Sequence, residues 1–419
     1  MANVSIVGGY NTAFGSFVQK NKETKEIIDL KPLHELLIEA VRGAVEDAQV
    51  DPAEIDAIWV GSFTPGLLTD QDHLGPIALE AFPEAFRFKP TQRVEGACAS
   101  SSMALYNAIY GIESGRYKNV LVVGAEKMNT RNTKQVTHAL ATASYWPSEG
   151  AEGMTFPGLF AEYAKGYQEQ YGLSDKQLRE MLASVSALMY QNGLQNPLAH
   201  FGKGSPADKY QLVTPEAVLN LPDEKNPMIA EPLRLHDCSL VTDGAAALVL
   251  TSSDRARTQF SRAVEISGIG HTSERLAIKD RKNMYELLAA KRATELAFSE
   301  AGVTTADIDV AEVHDCFTIN QLLCTEALGF SHDGEAGNDY MDGRFTADDD
   351  QVAINLSGGL KAKGHPVGAT GASMHVLLYK QLIGEPIGQA RNKLPETGAV
   401  LNVGGSAATN AVSVLRRIK

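Results

Sequence analysis

The strongest constraint on this chain is a partial copy of itself. Residues 41–60, VRGAVEDAQVDPAEIDAIWV, match residues 294–313, TELAFSEAGVTTADIDVAEV, at a constant offset of 253 without a gap, with seven identities in 20 positions. The identities pair Ala44, Ala48, Val50, Ala53, Ile55, Asp56 and Val60 with Ala297, Ala301, Val303, Ala306, Ile308, Asp309 and Val313. Each copy predicts an amphipathic helix ending near the Val, a Thr/Pro/Ala turn, and a short buried strand leading to a loop. An apolar segment followed by glycine precedes each copy, Val4–Gly9 and Val264–Gly270. A small-residue helix follows each, Ala97–Ile112 and Gly368–Leu382, then an apolar strand with glycine after it, Val120–Gly124 and Ala399–Gly405. A period this long indicates a duplicated domain rather than a solenoid.

The halves differ in length, and the excess is local. Between Val120–Gly124 and the strand predicted at Leu240–Leu250 lies a stretch rich in Asn, Gln, Tyr, Met, Pro and Gly, with helical pieces at Phe160–Tyr171 and Ser174–Tyr190. Residues 126–235 therefore read as an insertion, and an insertion of this size suits a lid or a substrate-binding subdomain. The expected organisation is an N-terminal half, 1–125 plus 236–258, the insertion, and a C-terminal half, 259–419. Strands alternating with helices make it α/β, with a mixed sheet in each half. The 38 basic and 51 acidic residues leave a net charge of −13, which argues against nucleic acid as a partner. No run of eighteen apolar residues predicts a membrane span. Met1-Ala2-Asn3-Val4-Ser5-Ile6 runs straight into an apolar strand, so no leader is expected. Cys98, Cys238, Cys316 and Cys324 lack paired or metal-like spacing, which predicts a reduced, cytoplasmic protein without a disulfide scaffold, zinc ribbon or bound metal.

Four segments carry candidate chemistry. Cys98, in GACASSSM, precedes a predicted helix, where the dipole and unpaired amides favour a nucleophilic thiolate. A small buried hydrophobe is the competing reading. His314-Asp315-Cys316-Phe317 follows the second repeat's strand, at the carboxyl edge where α/β sites gather; a buried structural His–Asp pair competes. GGLKAKGHPVGATG, residues 358–371, holds His365 in a glycine-rich turn opening the second small-residue helix. It lacks the GxxxxGK[ST] of a phosphate loop. If a pseudo-twofold axis relates the halves, both helices start near one point, and Cys98, His365 and the 314–316 loop converge as an acyl-transfer set. A fourth segment, Asn402-Val403-Gly404-Gly405, offers glycine amides to an oxyanion.

With these motifs in order, the chain resembles the thiolase superfamily along essentially its whole length. GACASSSMAL resembles the nucleophile segment, LVTDGAAALVL the stretch after the loop domain, and GGLKAKGHPVGATG the GHPxGxTG block. The HDCF sequence is similar to that of the sterol-carrier-protein-type branch, and Asn402 stands where other thiolases carry a C-terminal cysteine. The resemblance implies a five-layer α-β-α-β-α core of stacked duplicated halves with an inserted loop domain. It also implies reversible thiolysis or Claisen condensation of 3-oxoacyl-CoA through an acyl-Cys98 intermediate. Cys316 would be the acid/base, His365 the activator and oxyanion donor, and His314 a replacement for the Asn that positions a water. Gly404 and the Cys98 amide would form a second oxyanion hole. Gly364 and Ser357, with Lys203 and Lys209 in the insertion, are the candidates for CoA contact. Ser100-Ser101-Ser102 depart from the family's glycine, an expected change in the acyl pocket. CoA and acyl-CoA are substrates in this reading, with no resident cofactor. A homodimer or dimer of dimers is implied, as is a small OB-fold, zinc-ribbon partner in some members. Three alternatives stay open: C-acetyl transfer to a non-CoA carbon within a complex, a β-ketoacyl synthase-like condensing enzyme, and a non-catalytic scaffold.

Overall fold

The computed structural model describes residues 4–419 apart from Lys22 and Lys25; Met1–Asn3, expected to lead into the first strand, lie outside the described residues. The N-terminal half comprises β1 (Val4–Asn11), α1 (Leu33–Ala48), β2 (Ala57–Gly61), β3 (Thr91–Val94), α2 (Ser100–Glu113) and β4 (Asn119–Glu126). Helices α3 (Thr133–Ala141), α4 (Phe156–Gln170) and α5 (Asp175–Gly193) follow before β5 (Gly244–Ser252). The second half comprises β6 (Val264–Ser273), α6 (Leu288–Ala301), β7 (Val310–Val313), α7 (Thr318–Ala327), β8 (Ala353–Ile354), α8 (Thr370–Leu382), β9 (Thr397–Gly404) and β10 (Thr409–Arg417).

The repeat is visible in the topology. The first half is ordered β1-β5-β4-β2-β3 and the second β6-β10-β9-β7-β8, with the same parallel and antiparallel pairings. The 253-residue offset survives to the residue: the turn at Pro52–Glu54 meets that at Thr305–Asp307. The helices before them end on Gln49 and Gly302, both left-handed, at φ 53° and 66°. The two half-sheets are continuous, because Val4–Ile6 pairs antiparallel with Val264–Ile266.

Strand alternation builds the layers. In β4, Leu121 and Val123 face outward to α1, while Val120 and Val122 face inward toward α2. Helix α1 presents Leu36, Leu37, Ala40, Val41, Ala44 and Ala48 on one face, and each large aliphatic side chain so buried contributes about 1.5–3 kcal/mol. Gly8 lets α1 approach β1, since a Cβ there would meet the Ala48 backbone. Helix α6 covers β6 and β10 in the same way, and α2 and α8 pack on each other between the half-sheets. Among the described residues, no helix is long and apolar enough to cross a membrane.

The insertion's helices are capped by its own polar residues. Asn132/Gln135 and Ser174/Gln177 form capping boxes for α3 and α5, and Thr155 caps α4. The strand expected from Leu240 begins only at Gly244, because Asp243 is an anchor. Its carboxylate accepts from the amides of Met128 (2.7 Å), Asn129 (2.9 Å) and Phe17 (3.2 Å), and pairs with buried Lys127 at 2.9 Å. Asp243→Ala strands those amide donors and leaves Lys127 with the partly exposed Asp29 carboxylate and the Phe17 carbonyl. The expected loss is about 3–5 kcal/mol, read from chemical denaturation; a variant as stable as wild type would refute the anchor.

Candidate active site

Four loops reach one point from opposite halves. Cys98 lies in a tight turn, Ala97–Ala99, just ahead of α2. Ala97 is left-handed at φ 51°, a strained conformation for a residue with a side chain. The Glu95 carboxylate accepts from the Ala97 amide at 2.5 Å, and Ser100 Oγ accepts from Gly96 and donates to the Ala97 carbonyl.

His314-Asp315-Cys316 leaves β7 at its carboxyl end. The Asp315 carboxylate accepts from the amides of Leu360 (2.6 Å) and Lys361 (3.1 Å), so it ties this loop to the glycine-rich turn rather than facing the cavity. Gly364, at φ 120°, turns the chain so that His365 precedes α8 as Cys98 precedes α2. His365 Nδ1 lies 2.7 Å from Thr370 Oγ1, whose proton goes to the Pro366 carbonyl. Nδ1 is therefore the donor, and Nε2 keeps its lone pair.

The thiol of Cys98 and ring nitrogens of His314 and His365 lie within 4.8 Å of one another. The two rings meet edge to face at 5.1 Å. Both Gly405 and Cys98 amides reach the Cys98 sulfur. His314 Nδ1 receives a hydrogen bond from Asn402 at 3.0 Å, while its buried Nε2 has no partner among the described residues. A cavity of about 430 Å³ opens from here, with Cys98, Cys316, His365 and Gly405 at its floor. Its walls are mostly apolar, including Phe63, Met128, Val136, Leu140, Phe156 and Leu240. No carboxylate lines it among the described residues; its cationic side chains there are Lys20 and Arg131.

Burial sets the resting protonation. It pushes the Cys98 thiol up to about 12 against the opposing Gly405 amide, and Cys316 well above the usual thiol range. Burial, then the Lys363 charge, brings His365 down to about 3; burial, then His365, holds His314 well below the usual imidazole range. Burial thus opposes the thiolate that the helix start favours, and favours neutral thiols beside neutral imidazoles. Cys98, His314 and His365 are also zinc-type donors, and the same atoms form a proton-transfer set.

Other expectations need correcting. Gly405, not Gly404, offers its amide to Cys98 and lines the cavity; Gly404 ends β9, packed against the Gly96 carbonyl. Ser357 is sealed, donating to Glu312 at 2.9 Å, and neither it nor Gly364 lines the cavity. Lys203 and Lys209 are exposed and also lie outside its lining. The serines do not reshape the pocket. Ser100 closes the Cys98 turn, Ser101 accepts from the Ala372 amide and Ser102 donates to Asn402. Thr370, Lys20 and Arg131 were missed. Only Thr370, five residues beyond His365, carried a local signal.

Residues 4–254 match the thiolase N-terminal domain model, and residues 270–417 the thiolase C-terminal domain-like model. Acetyl-CoA acetyltransferase of Methanothermobacter thermautotrophicus is 38% identical over 417 residues, covering 100% of both chains. That of Methanocaldococcus jannaschii is 36% identical, covering 99% of each. Bovine sterol carrier protein 2 is 27% identical over 90% of this chain and 67% of its own. Among solved structures, the Ltp2-ChsH2(DUF35) aldolase superposes with a TM-score of 0.79 at 22% identity, covering 99% of this chain and 98% of that one. Acetyl-CoA acetyltransferase from Syntrophomonas wolfei superposes at 0.67, with 20% identity and 99% coverage of each chain.

Proposed function

The chain belongs to the thiolase family and is an acyltransferase, and we propose that it interconverts 3-oxoacyl-CoA plus CoA with two acyl-CoA thioesters through an acyl group on Cys98. The convergence of Cys98, Cys316 and His365 on one cavity carries this reading.

In thiolysis, His365 Nε2 takes the Cys98 proton as the sulfur attacks C3 of the substrate. Transfer is concerted with attack, since both groups rest neutral. The amides of Cys98 and Gly405 hold the oxyanion, each worth roughly 3–4 kcal/mol. The C2–C3 bond breaks, the acyl group stays on Cys98, and Cys316 protonates the departing acetyl-CoA enolate. CoA thiol then gives its proton to the Cys316 thiolate and attacks the acyl group, and Cys98 leaves with the proton held by His365. In condensation Cys316 instead removes the α-proton.

The carboxylate-free walls suit the amide-bearing arm of CoA, with Lys20 and Arg131 near its phosphates. CoA is then a substrate and no resident cofactor is needed. Among the described residues no strand pairs with the outer edge of β3, which supports a homodimer. The DUF35 subunit in the Ltp2-ChsH2 structure, together with exposed Ile229 and Val241 at the cavity rim, supports a small partner there. Four unpaired cysteines, three of them buried, fit a reducing cytoplasm.

The test is the purified protein with acetoacetyl-CoA and CoA. Expected is loss of acetoacetyl-CoA with formation of acetyl-CoA. Turnover only with a thioester on holo-carrier protein would instead support a condensing enzyme of the ketoacyl synthase type.

A further inference from the structure

Asn402 stands between the catalytic groups without being one. Its Nδ2 lies 3.3 Å from the Cys98 carbonyl and 3.0 Å from His314 Nδ1, and its Oδ1 lies 2.7 Å from Ser102 Oγ. The carbonyl fixes the amide's orientation, because a carbonyl oxygen only accepts and Nδ2 must face it. The opposite orientation would set two oxygens against each other. Ser102, whose hydroxyl can donate, completes the arrangement. The second Nδ2 hydrogen then points at His314 Nδ1, which accepts only if it carries no proton. In a neutral ring the proton is on Nε2, the atom that is fully buried and without a partner among the described residues, in a ring with a nitrogen within 4.8 Å of the Cys98 thiol and a His365 nitrogen.

We propose that Asn402, seated by Ser102 and the Cys98 carbonyl, is a positioning residue that locks His314 in its Nε2–H tautomer, making the ring a standing hydrogen-bond donor to the thioester oxygen of the substrate enolate. Its link to the enolate rests on the thiolase reading; the tautomer itself does not. The division of labour with His365 follows from hydrogen bonding. Thr370 takes the Nδ1 proton of His365, so that ring offers a lone pair and acts as a base. Asn402 takes the Nδ1 lone pair of His314, so that ring offers a proton. Two adjacent histidines are given opposite roles by one hydroxyl and one amide.

The test uses full-length protein labelled with 15N-histidine, with His314 assigned by comparison with His314→Asn. The wild-type ring is expected to be neutral with the proton on Nε2. A proton on Nδ1 would overturn the lock whether or not the protein is a thiolase. The activity arm measures α-proton exchange of acetyl-CoA in heavy water. In Asn402→Asp the carboxylate accepts from a protonated Nδ1, so a neutral ring turns a bare Nε2 toward the enolate. Exchange is then expected to fall about 10²-fold, as for one lost oxyanion donor. Unchanged exchange with the proton moved to Nδ1 would refute the role. A variant ring protonated on both nitrogens keeps its Nε2–H and must keep its exchange; loss in that state would refute it too. If Asn402→Asp does not fold, the wild-type spectrum alone decides the tautomer. A wild type without exchange, but with the Nε2–H ring, would count against the thiolase reading and leave the lock standing.

Discussion

Cys98→Ala is expected to abolish acyl-enzyme formation and turnover together. Loss of a covalent nucleophile costs on the order of 10⁶-fold in rate, and Cys98 is the cysteine on which both the Gly405 and Cys98 amides converge. Cys316 opens onto the same cavity, so the variant also asks whether a second thiol can substitute. Intact-mass measurement after incubation with acetyl-CoA should show one added acetyl group on the wild type and none on the variant. Circular dichroism should show an unchanged fold, because alanine fits the same turn. Acyl transfer above a small fraction of the wild-type rate would remove Cys98 from its assigned role.

Cys316→Ala separates the two half-reactions. Acylation of Cys98 needs the nucleophile, His365 and the amide pair, so labelling by acetyl-CoA should persist. Making or breaking the carbon–carbon bond also needs a proton moved at the α-carbon, and loss of a general acid–base typically costs about 10²–10⁴-fold. Thiolysis, condensation and α-proton exchange should therefore fall together by that factor. A buried cysteine with only a packing role would cost some stability and leave exchange intact. Normal labelling with lost exchange supports two cysteines in two roles. Retained exchange would move the base to His365, since Nε2 of a locked His314 has a proton to give and no lone pair to receive one.

Much of the architecture was legible because it was written twice. The offset of 253 placed the helix, turn and strand of both halves, and the structure keeps the correspondence at Gln49 and Gly302 and at the two turns. Local patterning also placed Cys98 and His365 ahead of corresponding helices, because small residues and glycine at a helix start are a short-range signal. Boundaries in the insertion were less legible. Helix α4 begins at Phe156 because Thr155 caps it, and β5 starts late because Asp243 is committed to amides from distant segments.

The sequence by itself determined the duplicated α/β design, the thiolase membership and the four loops that carry the chemistry, since each depends on local pattern or on order along the chain. Only the tertiary structure decided where the protons reside. Burial pushes the Cys98 thiol up against the pull of the helix start, and burial is a property of the folded surroundings that no motif encodes. The choice of Gly405 over Gly404 depends on which amide the end of β9 turns toward a sulfur 307 residues away in sequence. The Ser102–Asn402 contact spans 300 residues and the Asn402–Cys98 contact 304. Hydrogen bonds across such separations exist only once both halves have docked, and they bring the Asn402 amide to His314.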